Sequence, residues 1–208
     1  WIKNKKFETK ITNIILFVIS VLISYLITKN FNTQVLYSTL LVSSALYLFF
    51  ISILDFKNKN LKLSQKISHS AFSILIISII LNSLFSEEVS VNLKKGEEKK
   101  LSNYILKFEN VSKMEIDNFT SLKAEIHVIH NNNKLIFYPE LRLYKVPETI
   151  TSEADIKTNL FSDNLVVANY LKNTDYLNIR YQKKPFMLLI WLSALMLAAG
   201  GLAGLRKI

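Results

Sequence analysis

A chain of 208 residues, half of them apolar and with positive mean hydropathy, is too greasy for an ordinary soluble domain, and without cysteine it holds no disulfide or thiolate metal site. Its net charge of +10 does not mark a nucleic-acid binder. Acidic and basic residues nearly cancel between Ser86 and Lys184. The excess sits beside apolar runs, at Lys3, Lys5, Lys6 and Lys10, at Lys57, Lys59, Lys62 and Lys66, and at Arg206 and Lys207. That is the positive-inside pattern of a polytopic membrane protein. The chain opens at Trp1 with neither an initiator Met nor a signal-peptide layout, and reads as the C-terminal portion of something longer.

After the basic lead-in, Ile11 to Thr28 is an apolar run of eighteen, the first expected membrane helix. A short connection, Lys29 to Gln34, leads to a second at Val35 to Leu54. Asp55 to Lys66 is a basic loop. The third expected helix, residues 67–85, contains one ionisable side chain, His69, in nineteen residues, or roughly 28 Å at ~1.5 Å per residue. The fourth spans residues 185–208, with Pro185 suited to a first helical turn. Gly200 and Gly204, like Ala199 and Ala203, form a face for close helix packing. The lysine distribution puts the N-terminus and the 55–66 loop in the cytoplasm, and residues 86–184 outside it.

Residues 86–184 read as a small antiparallel β barrel or sandwich inserted between helices three and four. Val89, Val91 and Leu93 alternate with polar residues up to Lys95-Gly96, and Tyr104 to Val111 is a second strand. Lys123–His130 and Lys134–Tyr144 flank Asn131-Asn132-Asn133, a hairpin signal, with Pro139 forcing an edge or a bulge. Ser152 to Leu160 is expected as a short helix capped by Ser152, with Glu153 and Asp155 in its first turn. Leu165–Leu171 and Tyr176–Gln182 complete the strands.

An imidazole within a membrane span is costly without a partner, which makes His69 the leading candidate for function. Ser68, Ser70, Ala71 and Ser73 leave room beside it for another helix or a flat cofactor. Its structural alternatives are a polar contact to a neighbouring helix or a reach to the interface. If it is a ligand, haem iron suits it better than zinc, because the other spans offer no further ligands for a zinc site. His127, on the strand face of Lys123 and Glu125, and His130, beside the Asn turn, read as exposed hairpin histidines. No phosphate loop, nucleophile elbow or HExxH helix is present.

Taken together, a helix opening at His69, then EEVSVNLKKGEE, Pro139-Glu140 with Arg142 and Tyr144, Glu153-Ala154, and Lys184-Pro185-Phe186 leading to Ile190-Trp191-Leu192 resemble the C-terminal third of the CcmF family, the haem lyase subunit of cytochrome c maturation. The resemblance runs from about Ser68 to Leu205. The family usually has Lys where Leu141 stands, and its turn after the strand at Leu165 is altered here to Ala168-Asn169-Tyr170. The resemblance implies a haem b between two transmembrane histidines, His69 matching the second, and attachment of another haem to the CXXCH thiols of apocytochrome c. It implies a haem chaperone and other maturation subunits as partners, in a bacterial inner membrane with residues 86–184 periplasmic, or in a mitochondrial one if organelle-encoded. The Trp-rich haem-handling segment and the other ligands are absent from this sequence, so this portion alone would not be active. The competing readings are a non-catalytic membrane scaffold whose β domain recruits partners, a transporter piece, weakened by the lack of paired intramembrane charges, and a specialised paralogue within the family.

Overall fold

The computed structural model describes residues 11–29, 34–131, 133–171 and 174–205. The basic lead-in, most of the 29–34 connection, Asn132, and Arg206 with Lys207 lie outside the described residues. The chain forms a helical unit and a β unit, Ser86–Pro185, inserted into it.

The helical unit holds α1 (Ile11–Thr28), α2 (Val35–Asp55), α3 (Leu63–Phe85) and α4 (Met187–Leu205), all long and apolar enough to cross a membrane. Consecutive helices pack on one another. Their burial is inverted relative to a soluble bundle. In α1 the buried residues are Ser20, Ser24 and Thr28, one every fourth position, while Ile15, Phe17, Val18, Leu22 and Leu26 are exposed. Ser24 Oγ donates to the Thr39 carbonyl (2.7 Å), and the Thr28 and Thr39 hydroxyls lie 2.7 Å apart. Between α2 and α3 the Ser52 and Ser73 hydroxyls meet at 2.9 Å. Small side chains let the backbones approach, and the hydroxyls find partners across the seam.

Two helix starts differ from the sequence expectation. The third helix begins at Leu63, because Gln65 Oε1 accepts the Lys62 N–H (3.1 Å), half of a capping box. The last begins at Met187, because Pro185 is still in a strand, paired with Ser162, and Phe186 turns the chain at φ 62°.

Among the described residues the β unit has ten strands in two antiparallel sheets. The first sheet runs β1 (Glu87–Leu93), β10 (Leu177–Pro185), β9 (Ser162–Tyr170), β8 (Asp155–Thr158). The second runs β2 (Glu98–Leu101), β3 (Tyr104–Ile116), β4 (Phe119–His130), β6 (Glu140–Lys145), β7 (Glu148–Glu153), with β5 (Asn133–Phe137) on the other half of β4. Alternate residues of both sheets, among them Val91, Leu106, Phe108, Ile126, Val128, Phe137, Val166 and Ile179, fill the core between them.

Pro139 does what its chemistry requires. It divides the return arm into β5 and β6, which keep one register on β4 (Ile126↔Phe137, Lys123↔Glu140), and its carbonyl still accepts from the Ala124 N–H (3.0 Å). The expected helix at Ser152–Leu160 is not there. Ser152 and Glu153 finish β7, the chain passes from one sheet to the other at Ala154, and β8 pairs with β9. The Asp155 carboxylate accepts the Tyr138 N–H (2.7 Å) instead of capping a helix, and Thr149, Ile150, Thr151 and Ile156 favour strands through their β-branching.

Tyr104 and Tyr181, 5.0 Å apart in the core, each have a hydroxyl partner: Glu87 for Tyr104, and Asn164 for Tyr181 at 2.8 Å. Burial raises both phenols, Tyr181 to about 12, and donation to Glu87 raises Tyr104 further. An unfolded tyrosine ionises near ~10. The folded state thus favours the neutral phenols, and this stabilisation is complete below pH ~10 and is lost as pH rises toward about 12. Tyrosinate absorbance during alkaline titration should show these two of the nine tyrosines ionising only as the β domain unfolds. Tyr104→Phe with Tyr181→Phe should remove that late step.

Candidate functional site

His69 lies in the second turn of α3, further from the helix start than its sequence setting suggested. Its Nδ1 is 2.8 Å from Asp55 Oδ2, the last residue of α2. A carboxylate oxygen accepts, so Nδ1–H donates and Nε2 is the nitrogen left for another partner. Among the described residues no other hydrogen bond to the ring is found. The imidazole is 55% exposed and the Asp55 carboxylate 22%. Asp55 belongs to the end of a helix and not to the basic loop in which its sequence neighbours place it.

The small residues near His69 are spent on helix packing. Ala71 and Ser73 are buried, Ser73 against α2. On the other side Ser68 meets α4 at Gly200: a Cβ built there would lie 2.5 Å from Ser68 Oγ and 3.0 Å from its backbone nitrogen. Gly204 faces Ser64 more loosely, at 3.9 Å. The glycine face anticipated from the Gly200/Gly204 spacing therefore packs directly beside His69. Phe72, three residues on, is about half exposed, and Ile76 lies one turn further along, so an apolar strip follows the imidazole.

Each of the other histidines is engaged in the β unit. His127 is buried, contrary to the exposed position its alternation suggested, with Nε2 2.8 Å from Glu125 and Nδ1 3.7 Å from Glu109. Glu109 occupies the bulge between Phe108 and Asn110, which turns its carboxylate toward Lys107 (2.7 Å); that contact holds it below the usual carboxylate range. His130 stacks on Tyr104 (centroids 4.6 Å apart) and its Nδ1 meets the Asn103 carbonyl at 3.0 Å. Among the described residues no three His, Asp or Glu side chains group as a metal site.

The motif residues of the β unit converge as well. Glu140 accepts from Ser121 and from Arg142 Nε, both at 3.2 Å, and stands opposite Glu153 in the β6–β7 ladder. Arg142 also lies over the Phe119 ring at 5.2 Å. These contacts tie three strands together and leave no free nucleophile or base, so the cluster reads as structural.

Among the described residues, four apolar helices with a β sandwich between the third and fourth, and an imidazole braced by a carboxylate, define a membrane protein built around helix packing. Residues 84–185 match the family model described as the CcmF C-terminal beta-sandwich. Among curated proteins, the cytochrome c-type biogenesis protein CcmF of Pseudomonas fluorescens is 30% identical over 139 residues, 66% of this chain and 21% of its own length. The probable cytochrome c-type biogenesis protein NrfE of Escherichia coli K12 is 24% identical over 145 residues, 69% of this chain and 26% of its own length. The solved structure of the cytochrome c heme lyase CcmF has the same fold, with a TM-score of 0.71 over 97% of this chain and 35% of that one, at 14% identity. The chain belongs to the CcmF family and corresponds to its C-terminal part. It spans about a fifth of the length of CcmF from Pseudomonas fluorescens.

The Gly200–Ser68 approach predicts that Gly200→Val forces α3 and α4 apart, at a cost of about 1–3 kcal/mol, as overpacking does. Gly204→Ala, with room at 3.9 Å, should be tolerated. Thermal unfolding in detergent would rank the two; equal destabilisation would refute the close approach.

Proposed function

We propose that this chain is part of a membrane haem lyase of cytochrome c maturation, in which His69 gives one axial ligand to a haem b and the β unit stands on the periplasmic side of a bacterial inner membrane. The observation that carries the reading is the His69–Asp55 hydrogen bond. Imidazoles that ligate metals commonly donate their second N–H to a carboxylate, which fixes the ring and raises the basicity of the ligating nitrogen. Among the described residues Nε2 has no partner, and beside an apolar strip it would suit the iron of a flat ring, with the second ligand expected upstream of this chain. The relatives' names, cytochrome c-type biogenesis and cytochrome c heme lyase, supply the chemistry that such a site would serve.

Within that function the chain's own residues hold and orient. Asp55 keeps the Nδ1 proton and sets the ring plane. Phe72 and Ile76 shield the face of α3 from water. Ser68 against Gly200 fixes the rotation of α3, and with it the direction of His69. A haem b bound there would supply one-electron chemistry, keeping iron ferrous for thioether formation with apocytochrome c. The haem chaperone and the other maturation subunits are the expected partners.

The full-length protein should show a low-spin, reduced b-type spectrum that is lost or becomes high-spin in His69→Ala. Asp55→Asn should keep the ligand but lower haem retention by about 10–100-fold, the usual effect of removing such a partner. Haem retained unchanged in His69→Ala would end the ligand reading and leave a membrane scaffold with a β domain.

A further inference from the structure

The turn between β8 and β9 carries two of the most exposed apolar side chains of the β unit, Leu160 at 75% and Phe161 at 81%. Exposure by itself names no partner, since Val146 in the β6–β7 turn is 77% exposed. Register separates the two. Ser162, the residue after Phe161, pairs with Pro185, and α4 begins two residues beyond Pro185 at Met187. The neighbouring strand β1 starts at Glu87, opposite Lys183, two residues after α3 ends at Phe85. One end of the first sheet is therefore joined twice to apolar spans, and the Leu160-Phe161 turn is at that end.

Val146 is at the other end. Tyr104, bonded to Glu87, pairs with His130 at one end of β4, whereas Tyr144 pairs with Phe119 at the opposite end of the same strand.

The geometry points to Leu160 and Phe161 as a membrane anchor of the β domain, seated at the boundary between lipid headgroups and acyl chains. Backbone polar groups entering that boundary need partners of their own. Asn159 provides them: its Oδ1 accepts the Phe161 N–H (2.9 Å) and the Ser162 N–H (2.8 Å), while its N–H donates to the Ser162 carbonyl (3.0 Å). The tip is thus a closed turn that presents a Leu and a Phe, side chains suited to this depth. Charged side chains surround the turn without entering it: Lys157, Lys183, Lys184, Glu87, Glu88 and Asp163 lie on this end of the first sheet, and Lys134 lines the same cleft as Asn159, Ser162 and Lys183. The tip itself is apolar.

The chain's lack of cysteine makes the test direct. Leu160→Cys, Phe161→Cys and, at the far end, Val146→Cys would each be spin-labelled in the chain reconstituted into nanodiscs of zwitterionic lipid. The label at 160 and 161 should collide more with oxygen, and less with a water-soluble nickel chelate, than the label at 146. Equal aqueous accessibility at 161 and 146 would overturn the proposal. So would protection of 161 from both collision partners, which would mean that protein, not lipid, covers the turn.

Discussion

The helical unit depends on an inversion of the usual rule of burial. In lipid, apolar side chains gain little by turning inward, so helices associate where small side chains let backbones touch and hydroxyls can be satisfied. Ser20, Ser24 and Thr28 against Thr39, Ser52 against Ser73, and Ser68 against Gly200 are successive uses of one device. The last of these contacts fixes the helix that carries His69, so the candidate site inherits its precision from packing.

Much of this was legible in the sequence, and for identifiable reasons. Four long apolar runs announce themselves by length alone. Strand alternation at Val89–Leu93 and Tyr104–Val111, and the Asn turn, are local signals that tertiary structure had no cause to override. The helix expected at Ser152–Leu160 failed because its cues were real but ambiguous. A Ser followed by two acids also suits a chain changing sheets, where Asp155 caps the backbone of a strand edge. His127 was misjudged for a different reason. Alternation placed it on the outer face correctly, but the bulge at Glu109 closes that face over it, and a bulge leaves little trace in a single sequence.

Asp55 was the residue that sequence reasoning passed over. Among Lys57, Lys59 and Lys62 it looks like one acid in a basic loop. Its fourteen-residue separation from His69 gives no helical spacing to notice. One signal was available: it directly follows the apolar run of α2, and a carboxylate at the edge of a membrane span needs a partner as much as an imidazole does. Each of the two explains the other's presence.

The pairing of β1 with β10 joins residues nearly a hundred positions apart, Glu87 with Lys183, at the usual separation of neighbouring strands, ~4.8 Å. Seen from α3 and α4, the domain between them acts as a short hairpin loop. The entropy of closing a hundred-residue connection is met inside the β domain by its own core, so the helix pair is spared it. Such a domain can lengthen, shorten or change its outer turns without loosening the two helices, provided that the ladder between its first and last strands stays closed. Loss of that ladder would leave α3 and α4 joined only by a long tether, and their association would then have to meet the closure entropy itself.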